Sequence, residues 1–181
     1  MKEENKIVEY SLTATEFEWE IKPGKVITAW GFNAQVPGPV LRAKKGDTLV
    51  VKVENKLSEP TMIHWHGIRL PATMDGTGEV QKPILPGESF EYRFTVPDAG
   101  TFWYHSHQNE TVQMERGMYG GIVIKDDSDP EVDQERVLIM DDMKLNSRNE
   151  FTKHGVIGRW IERHDGREGG TNLINGKEAL T

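Results

Sequence analysis

Two stretches of the chain place a histidine on each side of a single residue, His64-Trp65-His66 and His105-Ser106-His107. In an extended strand, residues two apart project from the same face, roughly 6.6–7 Å from one another along the chain. Each motif therefore presents two imidazoles together and turns Trp65 or Ser106 to the opposite side. Four of the six histidines fall in these motifs, beside aromatics and within apolar surroundings. Burying four imidazoles without a metal would demand many compensating hydrogen bonds, so the pattern predicts a metal centre. An all-imidazole set suits copper, zinc, iron or nickel, and the general affinity order favours copper. A zinc hydrolase site of three histidines and a water is the main competing chemistry. Spacing alone does not separate them.

The elements that must carry these histidines read as strands. In EFEWEI, Phe17, Trp19 and Ile21 alternate with acids; in TLVVKVEN, Leu49, Val51 and Val53 share a face. SFEYRFTV sets Phe90, Tyr92, Phe94 and Val96 opposite Glu91, Arg93 and Thr95, a half-buried strand. GGIVIKD and RVLIMDD read as more buried strands. Turn signals recur between them, among them Pro23-Gly24, Pro37-Gly38-Pro39, Asp75-Gly76 and Pro86-Gly87. Many short strands with such punctuation predict a β-sandwich or barrel rather than a parallel α/β sheet. One helical turn or two is expected within NETVQMERGMYGG. After about residue 146 the chain becomes polar and Gly-rich, which reads as linker or irregular surface, and TNLINGKEAL then reads as a new strand and turn. That late strand suggests that the sequence ends inside something larger.

The bulk composition removes several function classes. At 181 residues the chain is long enough for one ordinary domain plus a tail. A net charge of −7, with no basic stripe, argues against a nucleic-acid partner. No apolar run is long enough to span a membrane. The absence of cysteine rules out disulfides, thiol catalysis and any copper centre that needs a thiolate ligand. It leaves the compartment open. MKEENKIVEY lacks the apolar core of a signal peptide, so the protein is either cytoplasmic or has lost a leader.

With these flanks the two histidine motifs acquire a more specific meaning. HWHG at 64–67 and WYHSHQ at 103–108 resemble the two copper motifs in the first cupredoxin domain of multicopper oxidases, the laccase family. PGPVLRAKKGDTLVVKVEN (37–55), MDG (74–76), PILPGESFEYRF (83–94) and GMYGGIVI (117–124) follow in the family's order, and the likeness covers roughly residues 25–145. NLINGK (172–177) resembles the start of the family's second domain. The resemblance implies a cupredoxin-like Greek-key β-sandwich over residues 1–146, a linker over 147–170 and the opening of a second cupredoxin domain at 171–181.

It also implies roles. His64 would bind the type 2 copper, His66 and His105 one type 3 copper, and His107 the other. Asp75 matches an outer-sphere carboxylate that assists proton delivery while dioxygen is reduced to water; its plain reading is a turn Asp before Gly76. The remaining trinuclear ligands and the type 1 copper belong to later domains of the same enzyme or to a neighbouring subunit, so the chain alone is expected to be inactive. Family members of this kind work in the periplasm or outside the cell. The alternative function is a stand-alone copper-binding cupredoxin module without turnover. Other candidates read more simply. His154 and His164 lie in the polar tail, and Met114, Met118, Met140 and Met143 are expected as core filling rather than a cuprous store. Trp65 and Trp103 are expected as core aromatics beside the site. KDDSDPEVDQE is expected as a solvated loop.

Overall fold

The computed structural model of the protein describes residues 5–151 and 169–179. The chain forms strands β1 (Ile7–Lys22), β2 (Lys25–Phe32), β3 (Gly38–Lys44), β4 (Thr48–Asn55), β5 (Ile63–His66), β6 (Ser89–Thr95), β7 (Gly100–Ser106) and β8 (Tyr119–Lys125), alternating most clearly in β1 and β6 and buried almost throughout in β8. They form two four-stranded sheets, ordered β2-β1-β4-β6 and β3-β8-β7-β5. β1 runs parallel to β4 and β3 parallel to β8, while the other pairs in these two sheets are antiparallel. This is the cupredoxin-like Greek-key sandwich expected from the sequence. The expected helical turn forms as α1 (Glu110–Glu115), between β7 and β8.

The main core lies between the sheets. Leu49, Val51, Val53, Tyr92 and Phe94 from one sheet meet Leu41, Trp65, Tyr104 and Ile122 from the other. Each such side chain contributes about 1.5–3 kcal/mol when fully buried. Trp65 is completely buried, as the alternation of HWH requires, because the residue between two outward histidines must face inward.

β1 is longer than one core needs, and its inward face changes along its length. Leu12 and Ala14 join the main core, whereas Trp19 and Ile21 lie at opposite parity and join a second cluster with Ile27, Ala29, Val36, Tyr119, Met143 and Leu173. That cluster is covered by a small sheet ordered β11-β10-β9, made of β9 (Met140–Met143), β10 (Thr171–Ile174) and β11 (Lys177–Glu178). The Trp19 indole N–H donates to the Gly176 carbonyl at 3.0 Å, tying residues 171–178 to the sandwich. Of residues 147–170, Phe151 bridges Leu145, and 152–168, including His154 and His164, lie outside the described residues.

Two expectations change in detail. RVLIMDD becomes strand only from Met140, because the Asn175 side chain occupies the backbone groups before it. Asn175 accepts from the Ile139 N–H at 2.9 Å and donates to the Val137 carbonyl at 3.0 Å. The acidic run is exposed but pinned at both ends, Asp126 by Lys45 at 3.0 Å and Glu135 by Arg42 and Lys125. Of the methionines, Met118 and Met143 are core residues, Met114 is half-buried and Met140 is exposed.

β5 is the sheet's edge, and its outward Ile63 N–H is capped by the Tyr92 hydroxyl at 2.9 Å. Tyr92 in turn accepts from the Gln81 amide at 2.9 Å. Replacing Tyr92 by Phe strands a buried donor next to His64, at a cost of about 1–3 kcal/mol. Urea unfolding of Tyr92→Phe should show that loss; wild-type stability would count against this account of the edge.

Candidate metal centre

β5 and β7 pair antiparallel with His64 directly opposite His105 and His66 directly opposite Trp103. Opposed residues in a β-ladder share a face, so this register brings both histidine motifs to one side of the sheet. His107 lies one residue beyond β7 and is held by its N–H to the Met62 carbonyl at 3.0 Å. The ring centroids of His64 stand 5.4, 5.3 and 5.3 Å from those of His66, His105 and His107. The four residues singled out by the sequence therefore converge. Ring nitrogens of His64, His66 and His105 lie within 4.8 Å of one another, and His107 flanks that group.

The second partner of each ring fixes which nitrogen is free. His64 Nδ1 lies 2.9 Å from the Asp75 carbonyl and His105 Nδ1 2.9 Å from the Ser106 carbonyl. A carbonyl only accepts, so both Nδ1 atoms carry the proton and both Nε2 atoms keep a lone pair. His66 is turned the other way, with Nδ1 3.4 Å from His105 Nε2. Two nitrogen ligands on one tetrahedral ion with bonds of about 2.0–2.1 Å stand roughly 3.4 Å apart. The donor set thus fits a metal: His66 through Nδ1 and His105 through Nε2 are spaced to share one ion.

The surroundings orient the rings. Asp75 follows a 3-10 turn (Ala72–Met74), and its carboxylate lies 3.4 Å from His64 Nδ1. Gly76 next to it adopts φ +72°, and any Cβ there would collide with the Ile63 carbonyl, so only glycine lets this loop reach the histidine. Trp103, half-buried, stacks on both His66 (centroids 4.9 Å, 29°) and His105 (4.2 Å, 26°). Those two imidazoles are themselves 5.6 Å apart, so they lean together on one indole. Glu110 at the start of α1 lies 3.5 Å from His105 Nδ1. Trp103 was legible only as an aromatic near the site. Glu110 had no signal beyond its proximity to the motif.

Burial holds the His105 imidazole below its ordinary pKa; the Ser106 carbonyl and Glu110 oppose that shift, and His64 and His66 add to it. The ring is therefore an available ligand down to lower pH than an exposed histidine.

A site of converging imidazoles on the face of a cupredoxin sandwich defines a protein that handles a transition metal. The sequence matches the multicopper oxidase family over residues 13–129, and the chain belongs to that family. It is 42% identical over 120 residues to the multicopper oxidase MmcO of Mycobacterium tuberculosis, covering 66% of this chain and 23% of that protein. Copper resistance protein A of Escherichia coli is 44% identical over 142 residues, covering 73% of this chain and 23% of the relative. The chain thus spans about a quarter of the length of these curated relatives. The crystal structure of a multicopper oxidase from Pseudomonas thermotolerans superposes with a TM-score of 0.88 at 38% identity, over 95% of this chain and 42% of that one. Copper is accordingly the metal that the family assigns to such a site.

Two measurements follow from this geometry. Trp103→Leu, which removes the shared stacking surface, should weaken copper binding about 10-fold by calorimetry, the loss typical of a residue that orients a ligand; unchanged affinity would deny the indole that role. In the metal-free chain, unfolded histidine titrates near pH 6.5, above the depressed value of folded His105. The unfolded state then binds more protons between the two values, so this residue's contribution is complete above about pH 6.5 and shrinks as pH falls through it. Denaturation midpoints should drop below that pH in the wild type and drop less in His105→Gln.

Proposed function

We propose that this chain is the N-terminal cupredoxin domain of a laccase-like multicopper oxidase and supplies half the ligands of its trinuclear copper centre. The observation that carries the reading is the 3.4 Å approach of His66 Nδ1 to His105 Nε2 within a cluster of four same-face imidazoles. His66 and His105 would hold one type 3 copper, His107 the other and His64 the type 2 ion. When bound, these coppers supply redox cycling for the four-electron reduction of dioxygen to water, coupled to oxidation of a reducing substrate.

The chain's own residues hold and orient. The Asp75 carbonyl keeps the His64 proton on Nδ1 and its Nε2 free for metal. The Asp75 carboxylate, half-buried at the site and 3.4 Å from the same ring, would be the outer-sphere proton donor. Four imidazoles are half the number that three oxygen-activating coppers need. The remaining ligands and the type 1 copper would come from further cupredoxin domains of the same enzyme or from a neighbouring subunit. A periplasmic or extracellular location accompanies this reading, and no described helix is long and apolar enough to cross a membrane.

Copper titration with an oxygen-consumption assay tests the reading. The 181-residue chain alone should bind copper weakly, lack the intense blue of a copper–thiolate centre and leave phenols unoxidised, since it contains no cysteine. Tight uptake of three coppers with turnover by the homogeneous chain would overturn the half-site. A tight, redox-silent complex with a single ion would instead identify a stand-alone copper module.

A further inference from the structure

Behind the histidine face, on the interior side of the same two strands, lies a fully buried amide with no part in metal ligation. Gln113 of α1 accepts from the Thr61 hydroxyl at 2.8 Å and the Ser106 hydroxyl at 2.5 Å, both through Oε1. Its Nε2 donates to the Pro60 carbonyl at 2.9 Å. Gln113, Thr61 and Ser106 each have no exposed surface. Both lone pairs of the amide oxygen are used. We propose that Gln113 is the positioning residue for His105 and His107, setting the end of β7 against the entry to β5 so that the two histidine motifs meet. The proposal rests on the copper reading above and names the residue that makes its geometry reproducible.

The strand pleat supplies the mechanism. Ser106 separates His105 from His107, so its side chain points away from the metal face and into the Gln113 amide. β7 ends at Ser106, and beyond that end the His107 N–H is held by the Met62 carbonyl. Anchoring Ser106 therefore fixes the two Cα positions from which His105 and His107 project. Thr61, three residues before His64, is held by the same amide oxygen, which ties the two strands at their site end. An apolar side chain at 113 would fill the space without desolvating an amide, but would carry no direction. Glu110, one turn earlier on α1, approaches His105 Nδ1 at 3.5 Å, so two residues on one side of this short helix act on one strand end.

The test compares Gln113→Leu, Gln113→Glu and His66→Ala in the full chain. It reads the imidazole 15N–1H correlations of the metal-free protein and then copper affinity by calorimetry. Burial and the Pro60 carbonyl favour the protonated form of the carboxyl that Gln113→Glu introduces, and that form reproduces all three bonds. Gln113→Leu should displace or broaden the His105 and His107 signals and weaken copper binding about 10-fold, and Gln113→Glu should restore both. If Gln113→Leu does not fold, Ser106→Ala removes the bond to Gln113 from the other side, along with the Gln108 N–H bond to the same hydroxyl, and should move the same two signals. Unchanged ring signals in a folded Gln113→Leu or Ser106→Ala protein overturn the proposal, as does equal loss in Gln113→Leu and Gln113→Glu. His66→Ala separates the two claims: if it leaves copper affinity intact the copper reading fails, while the ring signals still decide the role of Gln113.

Discussion

The pairing of His64 with His105 across β5 and β7 is the constraint on which the site depends. Because side chains alternate with a period of two, slipping β5 by one residue would send both its histidines inward and bring Trp65 out. The slip is opposed from the core side. Trp65 is wholly buried against Tyr92, Phe94 and Tyr104, with ring centroids 5.1–5.9 Å away. The metal face is thus specified by what packs behind it. The large aromatic between the histidines acts as the register pin, and the imidazoles face outward as a consequence.

Much of this was legible in the chain. Period-two alternation located β4, β6 and the second half of β1, though not β2 or β3, and the His-X-His spacing placed each pair on one face without any structure. What the sequence could not show was the meeting of the two pairs, which are separated by β6 and several loops. That convergence follows from the sheet order β8-β7-β5, a long-range arrangement that local pattern does not encode. The family resemblance supplied it where periodicity could not. The supporting residues were less visible still. Gln113 sits in a six-residue helix too short to show a periodic pattern, and Tyr92 reads as an ordinary inward aromatic until its hydroxyl is seen capping Ile63. RVLIMDD failed as a full strand because one side chain, Asn175, from far along the chain took the place of a partner strand.

β1 links the site's scaffold to the rest of the molecule. Its first half pairs with β4 and faces the main core, and its second half turns the opposite face, with Trp19 and Ile21, towards Leu173 and the small third sheet. Trp103 packs against that second cluster while stacking on two of the site's histidines. The face that gathers the imidazoles is therefore continuous with the surface on which residues 171–178 dock.

The closure of β5 has a consequence for the molecule's behaviour in solution. A short strand at the rim of a sheet ordinarily offers unpaired donors and acceptors to any passing chain, and so invites strand addition and aggregation. Here the Ile63 N–H is taken by Tyr92, the Trp65 carbonyl by the Ile68 N–H at 3.2 Å, and the Ile63 carbonyl is pressed against Gly76. The loop that brings Asp75 to His64 also shields the strand from intruders. A histidine-bearing rim can thus keep its imidazole face open to metal while its strand edge is shielded from strand addition.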